Sequence, residues 1–511
     1  MSQTKSTVYL IGAGPGDAGL LTLRGKELLE TCDVIVYDYL ASEELLAFAR
    51  PDAEVIYVGK MGGDHTLPQQ DINRLLVSKA REGKSVARLK GGDPYMFGRG
   101  AEEAEELLDA GVAFEVVPGV TSAIAGPAYA GIPLTHRAYA SSVCFATGHE
   151  DPEKAESAHD WKALATGAST LVFFMGMKNL PSIVENLTKN GMDPATPAAL
   201  VRWGTTPDHR SAAGTLGTLQ RLAEEGNFTA PSLIVIGKVV ALHDTLNWFE
   251  KKPLLGQGVL VTRSREQASG MAALLAAEGA RVVQFPTITI APPEAATAVR
   301  QSACRLRDFD WVVFTSPNGV AYFWRELEAL GLDTRALGAA VVAAIGPATA
   351  EALAKKGVRA DYVPASYVAE DLLEGLVAKG VAGKRILIPR AENARDVLPK
   401  GLMKAGAEVT VVPAYRTLPA PDRDKNAEAA KELFAAGKIR YITFASSSTV
   451  TNFLEAVPAE TLRQYPDLRF ACIGPVTAKT LEEAGLACHV MPEEYTIPAL
   501  VAAITKDSRG G

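Results

Sequence analysis

The chain has 511 residues, 47% of them hydrophobic and 22% charged, with a formal net charge of −7. This mix excludes a largely disordered polymer and leaves room for about three or four domains, each able to bury a core. The acidic balance argues against a surface covering nucleic acid, though not against arginines gathered locally around an acidic ligand. The five cysteines, Cys32, Cys144, Cys304, Cys472 and Cys488, form no CxxC pair. Neither a disulfide framework nor a metal site of usual spacing is expected. The opening MSQTKSTVYL holds no apolar targeting stretch, and no run nears the ~18 apolar residues of a membrane span. The expected location is therefore the cytoplasm, with no membrane partner.

In chain order, STVYLIGAG predicts a strand running into a glycine turn, LLTLRGKELLETC a helix, and DVIVYD a second strand. This is the βαβ rhythm of a parallel sheet covered by helices. The turn GAGPGD (12–17) invites comparison with a dinucleotide loop, and Asp38, ending the second strand, with its ribose-binding acid. That loop carries a third glycine where this chain has Asp17, and an aspartate at a helix start repels a pyrophosphate. A nicotinamide-dependent oxidoreductase is thus the alternative for this half. A phosphate-free, positively charged ligand such as S-adenosylmethionine fits better. Next come LKGGDPYMFGRGAEE (89–103), PGVTSAIAGPAYAGIPLTHR (118–137) and FFMGM (173–177). In the first of these, Gly91 and Gly92 let backbone approach a ligand closely, and Asp93 can accept hydrogen bonds.

A break rich in charge, Pro and Gly, EKKPLLGQ, falls near residues 250–257, and GVLVTRS begins a fresh unit. The second half then repeats itself. VLVTRS (from Val259) resembles ILIPRA (from Ile386). WVVFTSPNGV (from Trp311) resembles YITFASSSTV (from Tyr441), and AIGPATAEALAKKG (from Ala344) resembles CIGPVTAKTLEEAG (from Cys472). Three matches at nearly one offset imply two similar α/β lobes made by duplication, with a cleft between them. The expected strand ends are Thr315–Ser316, Ser446 to Ser448, and the Gly-Pro turns at Gly346 and Gly474. They carry hydroxyls and small residues, without His, Cys or paired carboxylates. Such a site binds and shapes a ligand, and a non-catalytic bilobed binding protein is the alternative for this half.

Taken together and in order, GAGPGD, YDYLAS, VGKMGGDH, GGDPYMFGRG, PGVTSA and GIPLTHR resemble the uroporphyrinogen-III C-methyltransferases, a tetrapyrrole methylase family, over about residues 5–250. The resemblance implies two methyl transfers from S-adenosylmethionine to rings A and B of uroporphyrinogen III, giving precorrin-2 and S-adenosylhomocysteine. It implies cofactor contacts at Pro15, Gly91, Gly92, Asp93, Met96, Thr121, Ser122, Met175 and Gly204. Acid–base roles fall on Asp38 and Lys60, and substrate contacts on Arg99, Glu102 and Arg137. Arginine suits the eight carboxylates of uroporphyrinogen, because its planar fork matches a carboxylate bidentately. Tyr39 and Met61 stand where the family often has arginines, and Ala101 replaces a common glycine. Members of the family are typically homodimers, so pairing through this half is expected.

Residues of about 256–505, through VVFTSPNGV, AIGPATA, VPAYRT, ITFASSSTV and CIGPVTAKTLEEAGL, resemble uroporphyrinogen-III synthase. That family has two α/β lobes joined by paired extended strands, here FPTITIAPP (285–293) and VVPAYRT (411–417). The implied reaction closes linear hydroxymethylbilane into uroporphyrinogen III, with ring D inverted and water lost. The resemblance places Tyr415 at the departing hydroxyl, and Thr315, Ser316, Ser446, Ser448 and Thr477 around the acidic side chains. The expected fold is α/β throughout: a two-lobed tetrapyrrole methylase fold over 1–250, a linker at 251–257, and a bilobed synthase with two similar parallel-sheet lobes over 258–511. Lobe one would take about 258–288 and 418–511, and lobe two about 292–412.

Overall fold

The computed structural model describes residues 6–59, 67–149, 159–263, 265–394, 396–420 and 423–510. The chain forms two compact units, one of residues 1–257 with 275–281, the other of 258–274 with 282–511. Among the described residues no helix is long and apolar enough to cross a membrane.

The first unit opens with a five-stranded sheet in the spatial order Glu54–Tyr57, Val34–Tyr37, Val86–Lys90, Thr7–Gly12, Ala113–Val117. Every neighbour is parallel. The central strands are buried on both faces, hence their near-continuous apolar runs. Val8, Leu10, Val34 and Val36 pack toward the helices Gln69–Arg81 and Gly100–Asp109. Ile11, Ile35, Ala87 and Leu89 pack toward the helix Leu23–Thr31. The carboxyl ends of four strands therefore deliver Gly12, Asp38, Gly91 and Pro118 to one edge.

The second sheet runs Val143–Thr147, Thr170–Phe174, Ser232–Gly237, Pro197–Arg202, Arg210–Thr215. Here the βαβ expectation holds only for the first pair, which is parallel; the other pairings are antiparallel. The connection 203–209 accounts for one of these, Pro197–Arg202 against Arg210–Thr215, since a parallel crossover takes about a dozen residues and this loop is shorter. Ala123, Ala130 and Ile132, in and beyond the helix Ser122–Tyr129, pack on Val172, Ala199, Val201 and Leu233 of this sheet.

A polar knot ties the end of this unit to its second sheet. Glu250 Oε1 accepts from Ser211 Oγ at 2.7 Å, Oε2 accepts from Asn247 Nδ2 at 2.7 Å, and His209 Nε2 lies 3.3 Å away. Burial alone would raise the Glu250 pKa, but His209, Ser211 and Asn247 outweigh it and bring it down to about 2. A depressed carboxylate stabilises the fold above its unfolded pKa, and that contribution is lost as the pH falls through the folded value. Glu250→Gln should therefore lower the melting temperature of this unit at pH 7 by several degrees, corresponding to roughly 3 kcal/mol. The gap to the parent protein should close between about pH 5 and pH 2. Melting curves across that range check this; a gap independent of pH would contradict it.

The second unit holds two sheets. One runs Arg281–Gln284, Gly258–Val261, Tyr441–Phe444, Arg469–Cys472, and the other Ile288–Ala291, Glu408–Pro419, Arg385–Ala391, Trp311–Phe314, Val341–Ala344. Leaving out Ile288–Ala291, the two sheets have the same spatial order of equivalent strands, and their hydrogen bonds repeat. Phe314 O accepts from Ile345 N–H at 3.0 Å, and Phe444 O from Ile473 N–H at 2.9 Å. Asp310 N–H donates to Arg385 O at 2.8 Å, and Arg440 N–H to Gly258 O at 2.8 Å. The repeat unit is nevertheless not the lobe. The segment after Gly258 pairs with the distant segment after Tyr441, while the middle segments from Trp311 and Arg385 pair with each other. Each lobe thus combines the front of one repeat with the back of the other. The chain must cross between lobes twice. It does so on Ile288–Ala291 and the far end of Glu408–Pro419, which pair antiparallel, Ile288 opposite Pro419 and Ala291 opposite Arg416.

Candidate functional site

In the first unit, six loops converge at the carboxyl edge of the parallel sheet. Gly14 and Gly92 form an isolated bridge, with Gly92 N–H donating to Gly14 O at 2.8 Å. Gly119 N–H donates to Asp93 Oδ2 at 3.0 Å, and Tyr95 N–H to Asp93 Oδ1 at 2.8 Å. Asp93, read from the sequence as a cofactor acceptor, thus braces two loops with both of its oxygens. Gly12, Gly92 and Gly119 meet backbone to backbone, leaving no room for a Cβ on Gly12 or Gly119. Gly92 differs. Its φ is +71°, and a Cβ there would meet only Ser122 N at 3.7 Å and Thr121 Cα at 3.8 Å. Above Gly92 there is space, and the left-handed backbone is what selects glycine.

Loops of the second sheet close the other side. Asp17 N–H donates to Thr205 Oγ1 at 3.1 Å, and Tyr39 packs edge-on against Trp203 with ring centroids 5.7 Å apart. Gly204 sits against Gly126, where a Cβ would come within 2.6 Å of Gly126 Cα. Phe97 packs on Phe174 at 4.9 Å, and Met96 joins the same apolar cluster. Six described non-glycine residues have positive φ: Phe97, Arg99, Met175, Trp203, Thr205 and Asn227. All but Asn227 lie in these loops. Such backbone costs about 1–3 kcal/mol per residue and clusters where a site must be shaped.

The structure therefore gathers Pro15, Asp38, Gly91, Gly92, Asp93, Met96, Thr121, Ser122 and Gly204 around one edge, together with the half-exposed Met175. Lys60, and Met61 beside it, lie outside the described residues. Arg99 pairs with Glu102 at 2.6 Å on the surface, and Arg137 is exposed. Hydrogen bonding from Arg99 lowers the Glu102 pKa. An exposed pair of this kind contributes about 0–1 kcal/mol. Asp17 caps the turn Ala18–Leu20 through Gly19 N–H and accepts from Tyr129 O–H at 2.7 Å. That carboxylate holds the position a pyrophosphate would need, and the nicotinamide alternative gains no support.

Sequence reasoning missed the charges beneath Asp38. Arg88 and Lys90, both buried, project from the central strand toward buried Glu103. The signal was present: two cations at alternate positions of a buried strand cannot be solvated and require partners.

In the second unit, Tyr415 is buried and its hydroxyl lies 3.0 Å from Ser316 Oγ. Its ring stacks on Tyr322 at 5.9 Å. Burial raises the Tyr415 pKa, with Ser316 opposing, so the phenol keeps its proton at neutral pH. Ser316 also caps the helix Pro317–Ala329 by accepting from Gly319 N–H at 3.0 Å. Ser446 caps Ser447–Ala456 in the same way and lies 3.0 Å from Ser448 Oγ. Thr315 is half-buried beside Ser316, and Thr477 is buried in the helix Pro475–Glu483. Ser316 and Tyr415 thus meet in one lobe, while Ser446, Ser448 and Thr477 belong to the other.

Comparison with known proteins agrees with this division. Residues 7–220 match the model for Tetrapyrrole (Corrin/Porphyrin) Methylases, and residues 269–502 that for Uroporphyrinogen-III synthase HemD. A Ruminiclostridium josui protein named porphyrin biosynthesis protein HemD is 38% identical over 97% of this chain and 96% of its own. An S-adenosyl-L-methionine-dependent uroporphyrinogen III methyltransferase of Methanosarcina barkeri is 53% identical over 48% of this chain and 96% of its own. A solved uroporphyrin-III-C-methyltransferase of Thermus thermophilus is 40% identical, covering 48% of this chain and 98% of its own, with a TM-score of 0.40. Spanned almost end to end by such a relative, this chain belongs to the HemD family of porphyrin-biosynthesis proteins, with a tetrapyrrole methylase joined to a uroporphyrinogen-III synthase.

Proposed function

We propose that the chain is a bifunctional enzyme. Its second unit cyclises hydroxymethylbilane to uroporphyrinogen III with ring D inversion, and its first unit methylates that product twice to precorrin-2, releasing S-adenosylhomocysteine. The observation that carries the reading is the strained, glycine-floored edge where the six loops converge. Its open face above Gly92 offers backbone groups, with Met96 and Met175 in the bordering loops, and among the described residues no cluster of cations for a phosphate. That chemistry fits S-adenosylmethionine. When bound, S-adenosylmethionine supplies an electrophilic methyl group.

The residues of the chain then do the rest. Thr121, Ser122 and the Gly92 backbone hold the cofactor, and Arg99 and Arg137 anchor carboxylates of the tetrapyrrole. Positioning supplies much of the rate in such a transfer. Asp38 accepts the proton that the methylated pyrrole releases. In the second unit, Tyr415 donates a hydrogen bond to the departing hydroxyl, while Ser316, Thr315, Ser446, Ser448 and Thr477 hold the folded bilane. The family resemblance further supports pairing of two copies through the methyltransferase unit, in the cytoplasm.

Incubating the protein with hydroxymethylbilane alone should yield uroporphyrinogen III, and adding S-adenosylmethionine should convert it to a doubly methylated product heavier by two CH2 units. Mass spectrometry and isomer analysis of the oxidised porphyrins check both steps. Isomer I as the sole ring-closed product would remove the synthase assignment; unmethylated product in the presence of cofactor would remove the methyltransferase assignment.

A further inference from the structure

Arg88 lies on the central strand Val86–Lys90, and its side chain is 3% exposed. All three guanidinium nitrogens are engaged. Nε faces Glu103 Oε1 at 3.2 Å, Nη1 donates to Leu89 O at 3.1 Å, and Nη2 meets Asp38 Oδ2 at 2.9 Å. Glu103 is fully buried, and its Oε1 also takes Lys90 Nζ at 2.7 Å and Gln69 Nε2 at 3.0 Å. The fully buried set therefore holds two cations against one anion. Asp38, partly exposed at the end of the neighbouring strand, is the second anion of the cluster. Burial also pushes the Lys90 pKa down.

For stability alone this arrangement is a poor solution. Apolar residues of similar volume usually serve as well as or better than a buried ion network. What the network provides is geometry. Arg88 is locked behind by Glu103 and cannot follow Asp38 outward. The Asp38 carboxylate is thereby fixed at Oδ2, while among the described residues Oδ1 accepts from the Leu40 N–H at 3.1 Å.

We propose that Arg88 is a positioning residue for methyl transfer: anchored by Glu103, it holds the Asp38 carboxylate in the one orientation that takes the pyrrole proton. The inference rests on the proposed acid–base role of Asp38. A misoriented base slows the chemical step without weakening either ligand, because Arg88 is shielded from both.

The test uses the full chain with uroporphyrinogen III and S-adenosylmethionine. Arg88→Met should lower kcat about 10²-fold, with KM for the tetrapyrrole and calorimetric affinity for the cofactor unchanged. Arg88→Lys keeps the charge and loses the fork, and should recover only part of the loss. It also serves if Arg88→Met fails to fold. Asp38→Asn should cost at least as much as Arg88→Met, and the double variant should be no worse than Asp38→Asn. Losses that multiply in the double variant would show Arg88 acting independently of Asp38 and overturn the proposal. So would full kcat in both Arg88 variants while Asp38→Asn is crippled. Full activity in Asp38→Asn would overturn it too, by removing the role of Asp38 itself.

Discussion

Gly119→Ala is expected to abolish methyl transfer while leaving ring closure intact. A Cβ on Gly119 would collide with the carbonyl oxygen of Gly92 and come within 2.7 Å of Gly12 Cα. All of these are backbone atoms at strand ends, and none can swing aside as a side chain would. Gly12 ends a strand paired on both sides, so it cannot retreat without breaking the ladders to Val86–Lys90 and Ala113–Val117. The loop holding Asp93 and Gly92 would have to move instead, taking with it the bond from Gly119 N–H to Asp93. Overpacking alone costs about 1–3 kcal/mol, and the lost brace adds roughly 1 kcal/mol or more. Cofactor affinity should fall by about 10²-fold or beyond detection. Gly111→Ala is the control. Its φ is +68° but nothing lies within 4 Å of the added Cβ, so only a modest conformational cost of about 1 kcal/mol applies. Calorimetry with S-adenosylmethionine and a uroporphyrinogen-III synthase assay on the same preparations check this. Normal cofactor binding by Gly119→Ala would take the glycine junction out of the cofactor site.

The second large effect is expected at Tyr415. Tyr415→Phe keeps the ring on Tyr322 and deletes only the hydroxyl beside Ser316. Ser316 retains its cap on Gly319 N–H, so the helix Pro317–Ala329 stays in place. Because burial holds the phenol protonated, it is suited to donate rather than to accept. A positioned proton donor contributes typically 10²–10⁴-fold, and a fall of about 10²-fold in ring closure is expected. The bilane can cyclise unaided without inversion, so the share of uroporphyrinogen I should rise as the catalysed route slows. Methylation of added uroporphyrinogen III should not change. Stopped assays with isomer separation read both effects. An unaltered rate and isomer ratio would leave Tyr415 a packing residue at the lobe crossing.

The amino-acid sequence determined the local features of this protein. Apolar runs ending in glycine or hydroxyl turns marked the parallel strands, because strand patterning and turn chemistry act over a few residues. Duplication in the second half was legible for the same reason: VLVTRS and ILIPRA carry the same strand and turn. The resemblance to tetrapyrrole enzymes rested on such short motifs in order, and the relatives bear it out for both halves.

Pairing between distant segments is not legible in local patterns. The family resemblance already set lobe one at about 258–288 with 418–511 and lobe two at about 292–412. A strand such as Gly258–Val261, however, carries no local mark of whether its partner begins at Trp311 or at Tyr441, and only the tertiary structure supplies the register. The antiparallel turn of the second methylase sheet likewise depends on how loop 203–209 folds back. Asp38 stood out as a carboxylate at a strand end, yet its partner Arg88 lies fifty residues away and Glu103 fifteen further on. Both were passed over because a charged side chain within a sequence ordinarily faces water. Burial turned them into a network, and burial is a property of packing: which face of the strand the helix Gly100–Asp109 covers, and which charges are left to meet beneath it.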